Sequence, residues 1–191
     1  SVFANGGYRV NPFVVREIRD GGNRVLAVSA GTEAGNEDTR VIDPRNAFLM
    51  DAMLRDVTIY GTAAKASAVL KRQDLAGRTG TTNEYLDAWF CGYQMTVSGC
   101  AWTGFEQPRK LGDKETGGAA ALPIWIGYMS RALKDVPMLL PQAPEGLIAS
   151  GEGRERSYIY AENAAKEKPA EEEAQEAVPL PKPDLSVPPA D

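Results

Sequence analysis

Apolar and polar positions change their spacing several times along the chain, and each change marks an element. Around Asp20-Gly21-Gly22-Asn23 two β-rich runs, within "FVVREIRDGGNRVLAVS", flank a cluster of turn residues, the signature of a hairpin. A polar loop, "GTEAGNEDTR", follows. Asp43-Pro44 then has the form of an N-cap followed by proline at the first helical position. From Arg45 to about Val57, Phe48, Leu49, Ala52, Met53 and Val57 recur at three- and four-residue steps, which predicts a helix broken at Gly61. "TAAKASAVLKR" predicts a second, alanine-rich helix. Three β-like runs come next, 75–82, about 86–94 and about 97–105, separated by gaps short enough for consecutive antiparallel strands. A loop carrying Gly112, Gly117 and Gly118 leads to a last helix over roughly 121–134. That helix starts near Pro123, carries Leu122, Trp125, Ile126, Met129 and Leu133 on one face, and is closed by Pro137. Helices before and after a block of antiparallel strands give an α+β arrangement.

Both ends depart from this pattern. "SVFANGG" has the form of the last turn of a helix stopped by Gly6 and Gly7, and suggests a segment of a longer protein. Pro137, Pro141 and Pro144 exclude a long helix in 137–161, a transition in which 141–161 is expected to form an extension. The net charge of −5 belongs to 162–191, where 8 acidic residues face 3 basic ones; 1–161 carries 18 of each sign and is neutral. This last stretch is rich in Pro, Glu and Ala, lacks aromatic residues, and predicts a disordered acidic tail. No basic stripe suited to nucleic acid is present, and no run approaches the roughly 20 apolar residues of a membrane span.

Composition narrows the chemistry further. With no histidine, a His-based serine or cysteine triad, a His general base and a His-type zinc site are all excluded. Two cysteines cannot by themselves build a structural zinc site, and no metal or cofactor is expected. A serine acylating enzyme without histidine needs a lysine base, commonly in Ser-x-x-Lys. The nearest arrangements, Ser67 with Lys71 and Ser130 with Lys134, are one residue too long and fall on ordinary helices, and no Ser-x-Asn occurs. The chain taken alone is therefore expected to carry no catalytic nucleophile. "GRTGTT" at 77–82 is different. Its glycines allow close approach of a ligand, and the hydroxyls of Thr79, Thr81 and Thr82 can donate to a carboxylate. Strand alternation puts Thr79 and Thr81 on one face, and Arg78 and Thr82 on the other. By composition alone this is either an anion site or a strand ending in a glycine turn.

Four blocks, "VFANGGYRVNPFVV", "LAGRTGTTNEYLDAWFCGY", "AWTGFEQPRKLG" and "ETGGAAALPIWIGYM", resemble in order and spacing the C-terminal half of the transpeptidase domain of class A penicillin-binding proteins, the bifunctional peptidoglycan synthases. The resemblance covers about residues 1–140. It implies the penicillin-recognising serine transpeptidase fold shared with β-lactamases, an antiparallel sheet flanked by helices, of which this chain holds part. It implies a D,D-transpeptidase that cross-links stem peptides by serine acyl transfer and is acylated by β-lactams. Ser-x-x-Lys, Ser-x-Asn, a glycosyltransferase domain and a membrane anchor are expected upstream, so the isolated segment is expected to be inactive.

The resemblance also implies roles for individual residues. Arg78, Thr79 and Gly80 fall on the family's Lys-Thr-Gly motif. Thr79 and Thr81 are expected to bind the carboxylate of a D-Ala-D-Ala stem or a β-lactam, with Thr82 beside them. Gly80 leaves room for the substrate, and the backbone N–H of Thr81 is expected to be an oxyanion-hole donor. Asp87, Trp89 and Phe90 are expected to support this strand, the two aromatics from the core. The departure is Arg78, where the family has lysine: the charge is kept, but a guanidinium cannot relay a proton. The same family points to the periplasmic face of the bacterial inner membrane, with cell-wall synthesis proteins as partners. A D,D-carboxypeptidase or β-lactamase-like hydrolase, or a non-catalytic interaction module of the same fold, is the alternative. If Met95 and Thr96 form a two-residue turn, Cys91 and Cys100 stand directly opposite, within reach of a disulfide. The expectation is nevertheless two buried thiols filling a sheet face.

Overall fold

The computed structural model describes residues 2–31 and 35–164. Its described residues form two compact units, one ending at Glu145 and one beginning at Gly146. In the second, β6 (Leu147–Ser150) and β7 (Ser157–Tyr160) make an antiparallel hairpin. A helical turn follows over 161–164, and the acidic tail expected from 162 lies, from residue 165 on, outside the described residues.

The first unit opens with the geometry of a helix end. The Gly7 N–H donates to the Val2 carbonyl and the Gly6 N–H to that of Phe3, with Gly6 at φ 65°, the paired bonds of a Schellman cap. The first hairpin forms where the turn residues placed it, with β1 (Glu17–Arg19) paired to β2 (Val25–Val28). Asp20 Oδ1 accepts from the N–H groups of Gly22 and Arg24, both at 2.9 Å, and holds the turn. Next come α1 (Pro44–Ile59) and α2 (Ala64–Leu70). Asp43 caps α1 through its side chain, which accepts from the Arg45 N–H at 2.8 Å. Lys71, in the left-handed conformation, ends α2.

β3 (Ala76–Thr81), β4 (Ala88–Gln94) and β5 (Val97–Thr103) form one antiparallel sheet in the order β3-β4-β5. Helices meet both of its faces. α3 (Leu122–Ala132) lays Trp125, Ile126 and Met129 on the face that carries Phe90, and the Phe90 and Trp125 rings meet edge to face at 4.8 Å. On the opposite face Tyr93 donates to Asp51 of α1 at 2.9 Å. A row of glycines, Gly77, Gly92 and Gly99, crosses the three strands beneath Trp125. A Cβ on Gly92 would lie 2.9 Å from the indole and 2.8 Å from the Phe90 ring, so the aromatic pair fits because that row is bare.

One segment of the first unit differs from the expectation. Residues 117–120, read as loop, belong to a π-helical turn over Gly117–Ala121 that runs directly into α3. Thr116 caps it, and the Leu122 N–H reaches back to the Gly117 carbonyl. Pro123 has no N–H to offer Ala119, which favours the wider turn.

Candidate active-site strand

β3 pairs with β4 without a bulge, Arg78 opposite Cys91, Thr79 opposite Phe90, Gly80 opposite Trp89 and Thr81 opposite Ala88. Phe90 and Ala88 are fully buried, so Thr79 and Thr81 share the face that α3 and its π-turn cover. Arg78 and Gly80 belong to the other face. The backbone has a direction as well. The Thr82 N–H donates to the Asp87 carbonyl at 3.0 Å, just past the end of the ladder. Antiparallel alternation then turns the backbone groups of Gly80 and Arg78 toward β4 and those of Thr79 and Thr81 toward the free edge of β3. Two hydroxyls and two backbone N–H groups of alternate residues thus belong to one edge and one face.

Each hydroxyl has a defined neighbour. Thr81 Oγ accepts from the Gly117 N–H at 3.0 Å. The hydroxyls of Thr62 and Thr79 lie 3.0 Å apart. Gly117 sits flush on the sheet: a Cβ there would lie 2.2 Å from the Trp89 carbonyl and 2.6 Å from that of Gly80. Thr82 is committed differently. Its Oγ accepts from the Asp87 N–H at 2.8 Å and closes the β3–β4 turn, away from Thr79 and Thr81. Asp87 also accepts from the Trp102 indole at 2.9 Å, which ties the turn to β5. The Arg78 side chain is exposed and makes no hydrogen bond or ion pair with another described residue. Among the described residues no cluster of His, Cys, Asp or Glu could hold a metal ion.

The serine-lysine pairs do not form sites. Ser130 donates to the Gly127 carbonyl within its own helix, and Ser67 Oγ is buried without a hydrogen-bond partner. Phe90 is in the core as expected, but Trp89 is not. It is 42% exposed on the outer face, where it meets Trp102 at 6.1 Å, because an odd position on β4 points away from α3. The cysteines also differ from the expectation. Cys91 and Cys100 are joined by a disulfide across opposed positions of β4 and β5, and both are exposed on the Trp89 face. The register that brings them together follows from the Met95-Thr96 turn, whose Thr96 N–H and hydroxyl both donate to Gln94 Oε1. Sequence marks neither Thr62 nor Gly117 as a site residue. Thr62 was assigned to a helix, but it lies in the turn between α1 and α2 and its carbonyl would be 3.1 Å from a Cβ on Gly118.

A family model for the penicillin-binding protein transpeptidase domain matches residues 1–120. Penicillin-binding protein 1A of Neisseria flavescens is 42% identical over 151 residues, 79% of this chain and 19% of that protein. Its counterpart from Pseudomonas aeruginosa is 41% identical, covering 78% of this chain and 24% of that one. The chain thus spans about a fifth to a quarter of the length of these relatives. The crystal structure of penicillin-binding protein 1A from Haemophilus influenzae superposes with a TM-score of 0.74 at 27% identity, over 84% of this chain and 30% of that one. The family model and these similarities agree, and the chain belongs to the penicillin-binding protein transpeptidase family.

Proposed function

We propose that this chain is the C-terminal part of a D,D-transpeptidase domain, with residues 1–140 forming one wall of its acyl-transfer cleft. Thr79 and Thr81 grip the terminal carboxylate of a D-Ala-D-Ala stem or the carboxylate of a β-lactam. A serine supplied by the upstream part of the domain attacks the carbonyl of the penultimate residue and expels the terminal D-alanine. The acyl group then passes to an amine of a second stem. The Thr81 N–H donates to the oxyanion that develops at the attacked carbonyl, and an oxyanion donor is typically worth a hundred-fold or more in rate. Arg78 contributes positive charge in place of the usual lysine. The enzyme acts on the periplasmic face of the inner membrane, beside an upstream glycosyltransferase and membrane anchor.

The observation that carries this reading is the edge of β3, where the hydroxyls of Thr79 and Thr81 share a face and the N–H of Thr81 points to the free side. In the complete protein, Thr79→Val and Thr81→Val are expected to slow acylation by a fluorescent penicillin about ten-fold each, as loss of a hydrogen bond to a charged group does. Unchanged rates in both would remove the carboxylate role. Arg78→Lys in the same assay tests the departure from the family pattern, and a rate equal to that of the parent would sink the idea that this position tunes activity.

A further inference from the structure

We propose that Thr62 is a positioning residue for carboxylate recognition, donating its hydroxyl proton to Thr79 so that the Thr79 proton is free to point into the cleft. The inference rests on the reading that Thr79 and Thr81 hold a ligand carboxylate. A carboxylate can only accept, so a threonine that binds it must donate. A hydroxyl has one proton. If Thr79 gives its proton to the ligand, the 3.0 Å contact with Thr62 survives only with Thr62 as donor.

Thr81 is held in the same sense by a different group. The Gly117 N–H can only donate, so Thr81 Oγ accepts from it and its own proton is left over. Both threonines are thereby set as outward donors by groups behind them, and a hydroxyl that accepts one hydrogen bond is a stronger donor in the next. The three segments are packed to make this possible. The 61–63 turn is anchored to α1 through the Gly61 N–H on the Asp56 carbonyl and the Ala63 N–H on the Val57 carbonyl. Gly118 stands between, where a Cβ would meet the Thr62 carbonyl at 3.1 Å and the Thr79 methyl at 3.9 Å. Thr62 is itself exposed, so its hydroxyl is held by Thr79 rather than by burial.

The test uses the complete protein with a penicillin and its methyl ester, which lacks the carboxylate. Thr62→Val, nearly isosteric, is expected to lower the second-order acylation rate for the penicillin about five-fold, the size expected for one hydrogen bond. The rate for the ester stays as it was, and Thr62→Ser restores the parent rate for the penicillin. Equal losses for both compounds, or no loss for either, would overturn the proposal, with thermal unfolding of each variant confirming the native fold. Failure of the underlying reading looks different: Thr79→Val and Thr81→Val would then leave the penicillin rate unchanged as well. If those variants lose activity toward the penicillin but Thr62→Val does not, only the role of Thr62 is overturned.

Discussion

Gly117 has no room for a side chain. Its absent Cβ would fall 2.2 Å from one carbonyl oxygen and 2.6 Å from another, both backbone atoms of paired strands that cannot step aside. Gly117→Ala is therefore expected to destabilise the fold by about 1–3 kcal/mol or more, read as a lowered melting temperature. The neighbouring Gly127, with nothing within 4 Å of its Cβ position, is the control: Gly127→Ala on the exposed side of α3 should be neutral or stabilising, since alanine is the better helix former. Single residues also show where sequence reasoning stopped short. Alternation placed Thr79 and Thr81 on one face correctly. It applied equally to Trp89 and Phe90, which are adjacent and so cannot both enter the core; the resemblance had put both there.

Among the elements, the β4–β5 hairpin was the most legible. A two-residue turn at Met95-Thr96 sets the register, and the register brings Cys91 opposite Cys100. What sequence could not supply was the face. Because Phe90, Gly92 and Gln94 point inward, Cys91 points out, and exposed opposed cysteines form a bond instead of filling a core. The bridge closes a loop of about ten residues, and loss of such a cross-link costs about 2–3 kcal/mol. Denaturant unfolding with and without reductant should show that difference, and the double variant Cys91→Ser/Cys100→Ser should match the reduced protein. Because both side chains lie at the surface, no cavity accompanies the change. Within the first unit, the π-turn at 117–121 is an element that sequence missed. Its glycines suggested a loop, whereas they allow a helical turn to lie against the backbone of β3 and β4.

At the scale of the first unit, one buried carboxylate joins parts distant in the chain. Asp74, just before β3, accepts from Arg72 at 2.7 and 2.9 Å, from the Gln94 amide at 3.0 Å and from the Leu139 N–H at 3.0 Å. Arg72 in turn donates to the carbonyls of Val136 and Pro137. Burial pushes the Asp74 carboxyl upward, but the Arg72, Leu139 and Gln94 donors together outweigh it and hold it below its ordinary range. A carboxyl depressed in the folded state contributes stability above its unfolded value, about pH 4, and that contribution is lost as the pH falls through the lower folded value. Melting temperature should therefore drop on acidification below about pH 4, and Asp74→Asn should flatten that limb. Asp74→Ala leaves Arg72 without its partner in a nearly dry site and is expected to cost about 3–5 kcal/mol at neutral pH.

Sequence by itself determined the helices and strands of the first unit apart from the π-turn, the α+β class, the β4–β5 register and the strand that carries Thr79 and Thr81. These follow from periodicity, turn chemistry and caps, which act over a few residues. Only the tertiary structure decided what stands behind those threonines. Thr62 meets Thr79 across 17 positions, Gly117 meets Thr81 across 36, and Leu139 meets Asp74 across 65. No local pattern records such contacts, because they depend on where α2, the π-turn and the segment after α3 come to rest on the sheet, and that is set by the packing of Trp125, Phe90 and the bare glycine row between them.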